Sequence, residues 1–441
     1  MILFLTLSWL SIYYEGEYCT EGWRSWNMWN PKNHIELKIG SQNMFLSFIG
    51  ESNANDMRFF FNQGHIEFRR EQRDIGYHIV LFAREDRHWI AYPLLHLVNT
   101  DRIKDDAWGP KAEGIRADVW GNFYMTYLFS RYRVTEQGDV HIFKIGKKFM
   151  KRNYIFLSRL RKDHEIYDIT LKLSPKYDLN CEFAYNKDLK SKAYKIEVRN
   201  LRFKDFLNAF SFFRYDKDFR CNISNKFNAL FDKEYGRTGI YHEIVYLFPN
   251  YAITGVFKGR YYKSYVKYGE IIDTPIFCRW NYYELYLEFI YDFNLKLAID
   301  ETIIDRDLWR HLICEWIMEK KLYRLKFQYK LRNMGVGDTL IVSEDTVKTI
   351  GQTHLFGAEL RFNLLKNLWF YCRTGYAFGL YKKWWTGFFQ IGYRPSWNTE
   401  IYFEYGDPWQ TDANIVDDWD FAENPNCALV KRFKIFVKAW F

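Results

Sequence analysis

Ten histidines, at 34, 65, 78, 88, 96, 141, 164, 242, 311 and 354, are the first place to look for acid–base chemistry. A zinc-dependent hydrolase of the HExxH type needs two of them on one helix face with a glutamate, and that motif does not occur. The GxSxG turn of a serine hydrolase is absent as well. Asp163 and His164 are adjacent and read as a loop salt contact rather than a catalytic dyad. Seven cysteines stand at 19, 181, 221, 278, 314, 372 and 427, with no CxxC and no close pair. The odd count argues against a complete disulfide framework and the spacing against zinc, which leaves them as small apolar fillers. Asp412, Asp417, Asp418, Asp420 and Glu423 lie within one short stretch but lack calcium-loop spacing, so the stretch reads as a solvated loop. Trp409 and Trp419 beside them have the faces to stack on sugar rings. The expectation is a protein without metal, cofactor or catalytic centre.

The basic residues are more informative. The chain carries 63 Lys and Arg against 54 Asp and Glu, a net charge of +9, which favours an anionic partner. These cations are spread through the chain rather than gathered in a tail, which argues against a nucleic-acid arm. Many sit at every second position. In KLYRLKFQYKLR (321–332), Arg324, Lys326, Lys330 and Arg332 alternate with Tyr323, Leu325, Phe327, Tyr329 and Leu331. In AYKIEVRN, Lys195 and Arg199 alternate with Tyr194, Ile196 and Val198, and HLFGAELRFNLLKN puts Arg361 and Glu359 opposite Phe356, Leu360 and Phe362. Side chains alternate faces along a strand, so each run is a strand with one apolar and one charged face. EIYDITLKL fits with Ile166 as the one misfit, and YYELYLEFIYDF, LWFYCRTGYAF, GFFQIGYR and TEIYFEYG continue the series.

The elements that position these residues are therefore strands, and long ones. Runs of about ten to twelve residues cross a bilayer when tilted, whereas soluble strands are nearer five or six. Aromatics make up 20% of the chain, which favours strands and membrane boundaries over a generic soluble core. Trp369, Tyr371, Trp384, Trp385 and Trp440 crowd the run ends, as in an aromatic girdle. Turn signals at 174–178, 186–188, 215–218, 333–338, 364–367 and 394–398 separate the runs. Short turns alternate with longer polar stretches at 336–353 and 406–426, the rhythm of an outer-membrane barrel. Residues 306–321 show a mixed pattern that suggests a helix. Residues 1–20 read as a weak signal peptide or a first strand, and 21–441 as one barrel domain. Within it, 86–118 forms a long loop or lumen insert around the Gly/Pro-rich 88–116 passage. No plug domain is expected ahead of the strands, so active, energy-coupled uptake is not the expectation. A large soluble β-sandwich would share the alternation but not the strand length.

The chain ends in KRFKIFVKAWF. Phe433, Ile435, Val437, Ala439 and Phe441 share one face, with Arg432, Lys434 and Lys438 on the other, interrupted by Phe436 and Trp440. This ending resembles the C-terminal signal of Gram-negative outer-membrane β-barrels, which closes on an aromatic residue. Ala439 stands where that pattern usually has an aromatic, and Phe436 where it often has glycine. The resemblance, to the porin and alginate-export class, implies an all-β, transmembrane antiparallel β-barrel of roughly 16–18 strands. It also implies residence in the bacterial outer membrane, contact with lipid bilayer and lipopolysaccharide, and insertion by the barrel-assembly machinery. With polar faces inward, Lys195, Arg199, Arg324, Lys326, Lys330, Arg332, Arg361, Arg432, Lys434 and Lys438 would line the pore. That set suits passive passage of small, anionic or sugar-like solutes, including an acidic glycan. The alternatives are a surface glycan-binding β-protein without transport, and an outer-membrane enzyme.

Overall fold

The computed structural model describes residues 9–21, 32–41, 44–53, 56–72, 75–85, 112–132, 139–149, 153–161, 164–174, 177–221, 235–248, 252–267, 270–289, 292–305, 307–332, 334, 339–343, 346–350, 352–379, 383–406 and 432–441. In chain order the strands are β1 (Trp9–Glu21), β2 (Lys32–Ser41), β3 (Met44–Asn53), β4 (Asp56–Gln72), β5 (Ile75–Glu85), β6 (Ala112–Trp120), β7 (Phe123–Tyr132), β8 (Val140–Phe149), β9 (Asn153–Arg161), β10 (Glu165–Leu173), β11 (Asp178–Asn186), β12 (Ser191–Phe203) and β13 (Phe206–Tyr215). They continue with β14 (Arg237–Leu247), β15 (Ile253–Lys267), β16 (Glu270–Phe289), β17 (Phe293–Ile304), β18 (Asp307–Glu319), β19 (Tyr323–Arg332), β20 (Thr339–Ser343), β21 (Thr346–Ile350), β22 (Thr353–Leu365), β23 (Leu368–Gly379), β24 (Lys383–Ser396), β25 (Thr399–Tyr405) and β26 (Arg432–Trp440). Among the described residues there is no helix.

Each strand pairs antiparallel with its successor, except that β19 pairs with β22 while β20 and β21 form a separate hairpin. The last strand pairs with the first, Trp440 opposite Tyr13 and Lys438 opposite Glu15. The amide of Phe441 donates to the carbonyl of Ile12, and that of Ile12 to the carbonyl of Phe441, both at 2.8 Å. The 24-stranded sheet is thus a closed ring, and no strand edge is left open. The terminal phenylalanine is a full member of the ladder, which explains an alternating strand that runs to the last residue.

The strand count exceeds the expected 16–18. That expectation allowed about 24 residues per strand with its loop. The 441 residues spread over 24 strands give about 18, because most connections are short. At one rim every turn has two to five residues, as at 42–43, 121–122, 204–205 and 397–398. The other rim carries the long connections 86–111, 216–236, 333–352 and 406–431. Both chain ends of the ring, Trp9 and Phe441, lie at the short-turn rim. In outer-membrane barrels the short turns face the periplasm and the long loops the exterior. Asp292 and Asp305, at φ 60 in two tight turns, are of a residue type that enters the left-handed region more readily than most, and their carboxylates accept from Lys320 at 3.1 Å and Lys267 at 3.3 Å.

Two further expectations change. Residues 306–321 are not helical: Asp307–Glu319 is strand β18, and its mixed pattern has apolar side chains on both faces. Of the 86–118 insert, Ala112–Trp120 is strand β6, paired with β5 and β7, while 86–111 lies outside the described residues. Toward the N-terminus, Trp9–Glu21 is strand β1, and residues 1–8 lie outside the described residues.

The two faces separate as the alternation demands. On β10, Tyr167 and Ile169 are 40% and 47% exposed on the outside, while Asp168 and Thr170 are buried inside. Ile166, the misfit of that run, belongs to the inward set and is buried. The same phase holds on β12, where Ile196 faces out and Glu197 in, and on β19, where Phe327 faces out and Lys326 in. A polar inside and an apolar outside invert the order of a soluble sandwich.

Candidate functional site: the inner wall

The inner wall has two unlike arcs. On the arc from β18 to β26 many of the inward positions are charged. β19 turns Arg324, Lys326, Lys330 and Arg332 inward, the last three buried. Lys326 Nζ lies 2.9 Å from Glu315 Oε2, which also accepts from Gln328 Nε2 at 2.6 Å. Glu359 sits between Arg324 at 3.8 Å and Arg373 at 3.5 Å. Arg361, exposed to the lumen, follows two residues along the same face of β22. Arg394 pairs with Glu400, which accepts the Tyr402 hydroxyl at 2.5 Å. Across β25 and β26, Lys438 stands opposite Glu400 and Lys434 opposite Glu404. Lys438 Nζ lies 5.0 Å from the Phe436 ring centre and 5.9 Å from that of Tyr402, within cation–π range.

Some of these groups surround a recess of about 850 Å³ near the short-turn rim. Arg324, Glu359, Arg361, Arg394, Glu400 and Glu404 line it together with Trp369, Tyr371 and Tyr402. Trp369 meets Tyr402 edge to face at 5.6 Å. Opposite Trp369 on the neighbouring strand is Gly392, where a Cβ would come within 2.1 Å of the indole. The ring lies flat where the glycine has no side chain. The same device recurs at Phe156 over Gly146 and Trp120 over Gly76. Trp369, Tyr371 and Trp440 therefore face the lumen rather than the lipid, which corrects their place in an outer girdle; Trp385 does face outward, 48% exposed.

The arc from β5 to β15 is different. Toward the long-loop rim many of its inward side chains are apolar and dry. Val80, Leu128, Val140, Ile142, Leu160 and Ile166 are at most 2% exposed although they face inward. Phe219 and Cys221, from the start of the β13–β14 connection, are fully buried in the same cluster, with Phe213, Tyr215 and Tyr235. The connection is pinned where it leaves the wall. The Lys192 amide donates to Asp216 Oδ2 at 2.9 Å, Asn186 Nδ2 donates to the Arg220 carbonyl at 2.9 Å, and the Arg220 guanidinium stacks 3.5 Å from the Tyr235 ring centre. Nearer the short-turn rim this arc turns polar, with Arg116 on Asp118 at 2.6 Å and the Thr126 hydroxyl donating to Asp118 at 2.7 Å.

The expected pore-lining residues thus fall in three groups. Arg324, Lys326, Lys330, Arg332 and Arg361 are neighbours on β19 and β22. Lys434 and Lys438 follow four strands on, on β26, while the side chain of Arg432 lies outside those described. Lys195 and Arg199 lie on the other arc, on β12, sharing Glu197 at 3.4 and 2.8 Å. Arg373, Arg394, Glu315, Glu400 and Glu404 were not anticipated, although Glu400 and Glu404 were visible in the alternation of TEIYFEYG. Glu315 was hidden by the helical reading of β18. On the outer face stand Phe433, Ile435, Val437 and Ala439, and Phe441 is 67% exposed there. Asp163, Trp409, Trp419 and the acidic stretch 412–423 lie outside the described residues.

No protein-family model and no curated protein matches the sequence. Solved structures do match. A chain of the E. coli P pilus tip assembly intermediate PapC–PapD–PapK–PapG superposes with a TM-score of 0.59 at 6% identity, over 99% of this chain and 61% of that one. The chain has the fold of a Gram-negative outer-membrane β-barrel. The siderophore receptor PirA from Pseudomonas aeruginosa aligns over 98% of this chain and 80% of its own at 8% identity and TM-score 0.48. The P pilus usher PapC translocation pore aligns over 98% and 99% at 7% identity and TM-score 0.47.

Proposed function

We propose that the protein is an outer-membrane channel through which small anionic or sugar-like solutes pass passively along the charged arc of the lumen. The observation that carries this reading is the recess on β19–β25. There Arg324, Arg361 and Arg394 converge with the flat faces of Trp369, Tyr371 and Tyr402. Guanidinium groups take carboxylate or sulfate oxygens in bidentate fashion, and aromatic faces take the C–H faces of sugar rings. An acidic glycan offers both. On this arc cations also outnumber acids, which lowers the entry barrier for anions. The dry apolar long-loop end of the β5–β15 arc supports a path that follows the charged side there. The outward apolar face closing on Phe441 fits the role of an assembly signal. Outward aromatics at the short-turn rim, including Phe123, Phe203 and Trp397, fit a girdle at the inner interface. Lipopolysaccharide is the expected lipid partner at the other rim. We read the polar inner wall as a conduit and not as a catalytic centre.

Ion selectivity tests the reading. In a planar bilayer under a salt gradient, the reversal potential is expected to report anion preference, and Arg324→Gln with Arg361→Gln to shift it toward cations. An unchanged reversal potential in that double variant contradicts an anion path along this arc.

A further inference from the structure

The outer surface carries a polar cluster that the barrel itself does not require. Arg279 on β16 and Arg310 on β18 both face outward, flanking Glu301 on the strand between them. Arg279 Nη2 donates to Glu301 Oε1 at 2.7 Å, and Arg310 donates to Oε2 through Nε at 2.9 Å and Nη2 at 2.5 Å. Asn281, opposite Glu301, accepts the Tyr261 hydroxyl at 2.8 Å. Two guanidinium groups thus share one carboxylate, and the exposed Lys263 faces the same way from β15. The side chains of Arg279 and Arg310 remain 38% and 37% exposed while that of Glu301 is 11%. A surplus of positive charge on a membrane-facing surface is costly unless an anion completes it.

Directly below the cluster, away from the long-loop rim, the same strands form an apolar groove of about 550 Å³. Ile244, Phe257, Tyr283, Leu285, Ile299 and Leu312 line it. The cluster lies three residues from the β17–β18 turn, at the rim that carries the long loops. A cationic head site at the outer boundary and an acyl-sized groove running inward from it describe one amphipathic ligand.

We propose that this surface binds a phosphorylated glycolipid of the outer leaflet, its phosphate on Arg279 and Arg310 and an acyl chain in the groove. The proposal rests on the transmembrane fold and not on the solute path, and its readout does not involve conductance. Delipidated barrel in detergent is titrated with bis-phosphorylated lipid A and with the dephosphorylated form, and retained lipid is counted by native mass spectrometry. The wild type is expected to retain the phosphorylated form with a preference of roughly tenfold or more, the scale of one charge-assisted hydrogen-bond set. R279Q/R310Q is expected to abolish that preference, and Ile299→Trp, which fills the groove, to weaken both forms. Heat-modifiable mobility verifies that each variant is closed. If the double variant does not close, R310Q alone, which leaves Glu301 paired with Arg279, must lose the preference. Equal retention of both lipids by the wild type, or an unchanged preference in a closed arginine variant, overturns the proposal.

Discussion

The β5–β15 and β18–β26 arcs share one outer pattern and have opposite inner linings. Outside, both present Ile, Leu, Phe and Tyr at every second position. Inside, one packs Val80, Leu128, Val140 and Ile142 against Phe219, and the other spaces Arg324, Glu359, Arg361 and Glu400 around a recess. The outer face must satisfy lipid all the way round, so it is uniform. The inner face has no such constraint and differentiates into a dry seat and a wet path.

The sharpest way to break this contrast is to put the same charge on both arcs. Ile142→Asp buries an unpaired carboxylate among fully buried apolar neighbours, and should cost about 3–5 kcal/mol. Arg361→Asp faces open lumen and should stay within about 0.5 kcal/mol. Urea titration of heat-modifiable mobility compares them. Smaller is Gly392→Val, which drives a side chain into the Trp369 ring and should cost about 1–3 kcal/mol. Adding Trp369→Ala should recover most of that loss, which a double-mutant cycle reads. Smaller again, Glu359→Gln removes the carboxylate between Arg324 and Arg373 at a cost of about 1 kcal/mol. It should raise anion preference in the same bilayer measurement, because Arg373 then loses its carboxylate and Arg324 keeps only Glu319, 3.8 Å away.

Much of this fold was legible because lipid imposes a period of two that nothing else masks. KLYRLKFQYKLR showed both faces of β19 correctly, and KRFKIFVKAWF showed both faces of β26. What stayed hidden has physical causes. β18 has apolar residues on both faces, since Ile313 and Ile317 face the lumen, and a strand without contrast resembles a helix. Trp369 looked like a girdle residue because alternation alone does not say which face of an aromatic-rich strand is inside; Gly392, far along the chain, decides it. The dry seat was invisible because Val80, Leu128, Val140 and Ile142 come from three strands whose pairing register, not readable from any one run, sets them side by side.

The central claim is that water lines the β18–β26 arc and not the long-loop end of the β5–β15 arc. In a cysteine-free background, single cysteines at Arg361 and at Val140 would be exposed to a small, charged, water-borne thiol reagent in the intact barrel. The account predicts rapid modification at 361 and protection at 140 until the barrel is unfolded. Equal modification at both positions would contradict it.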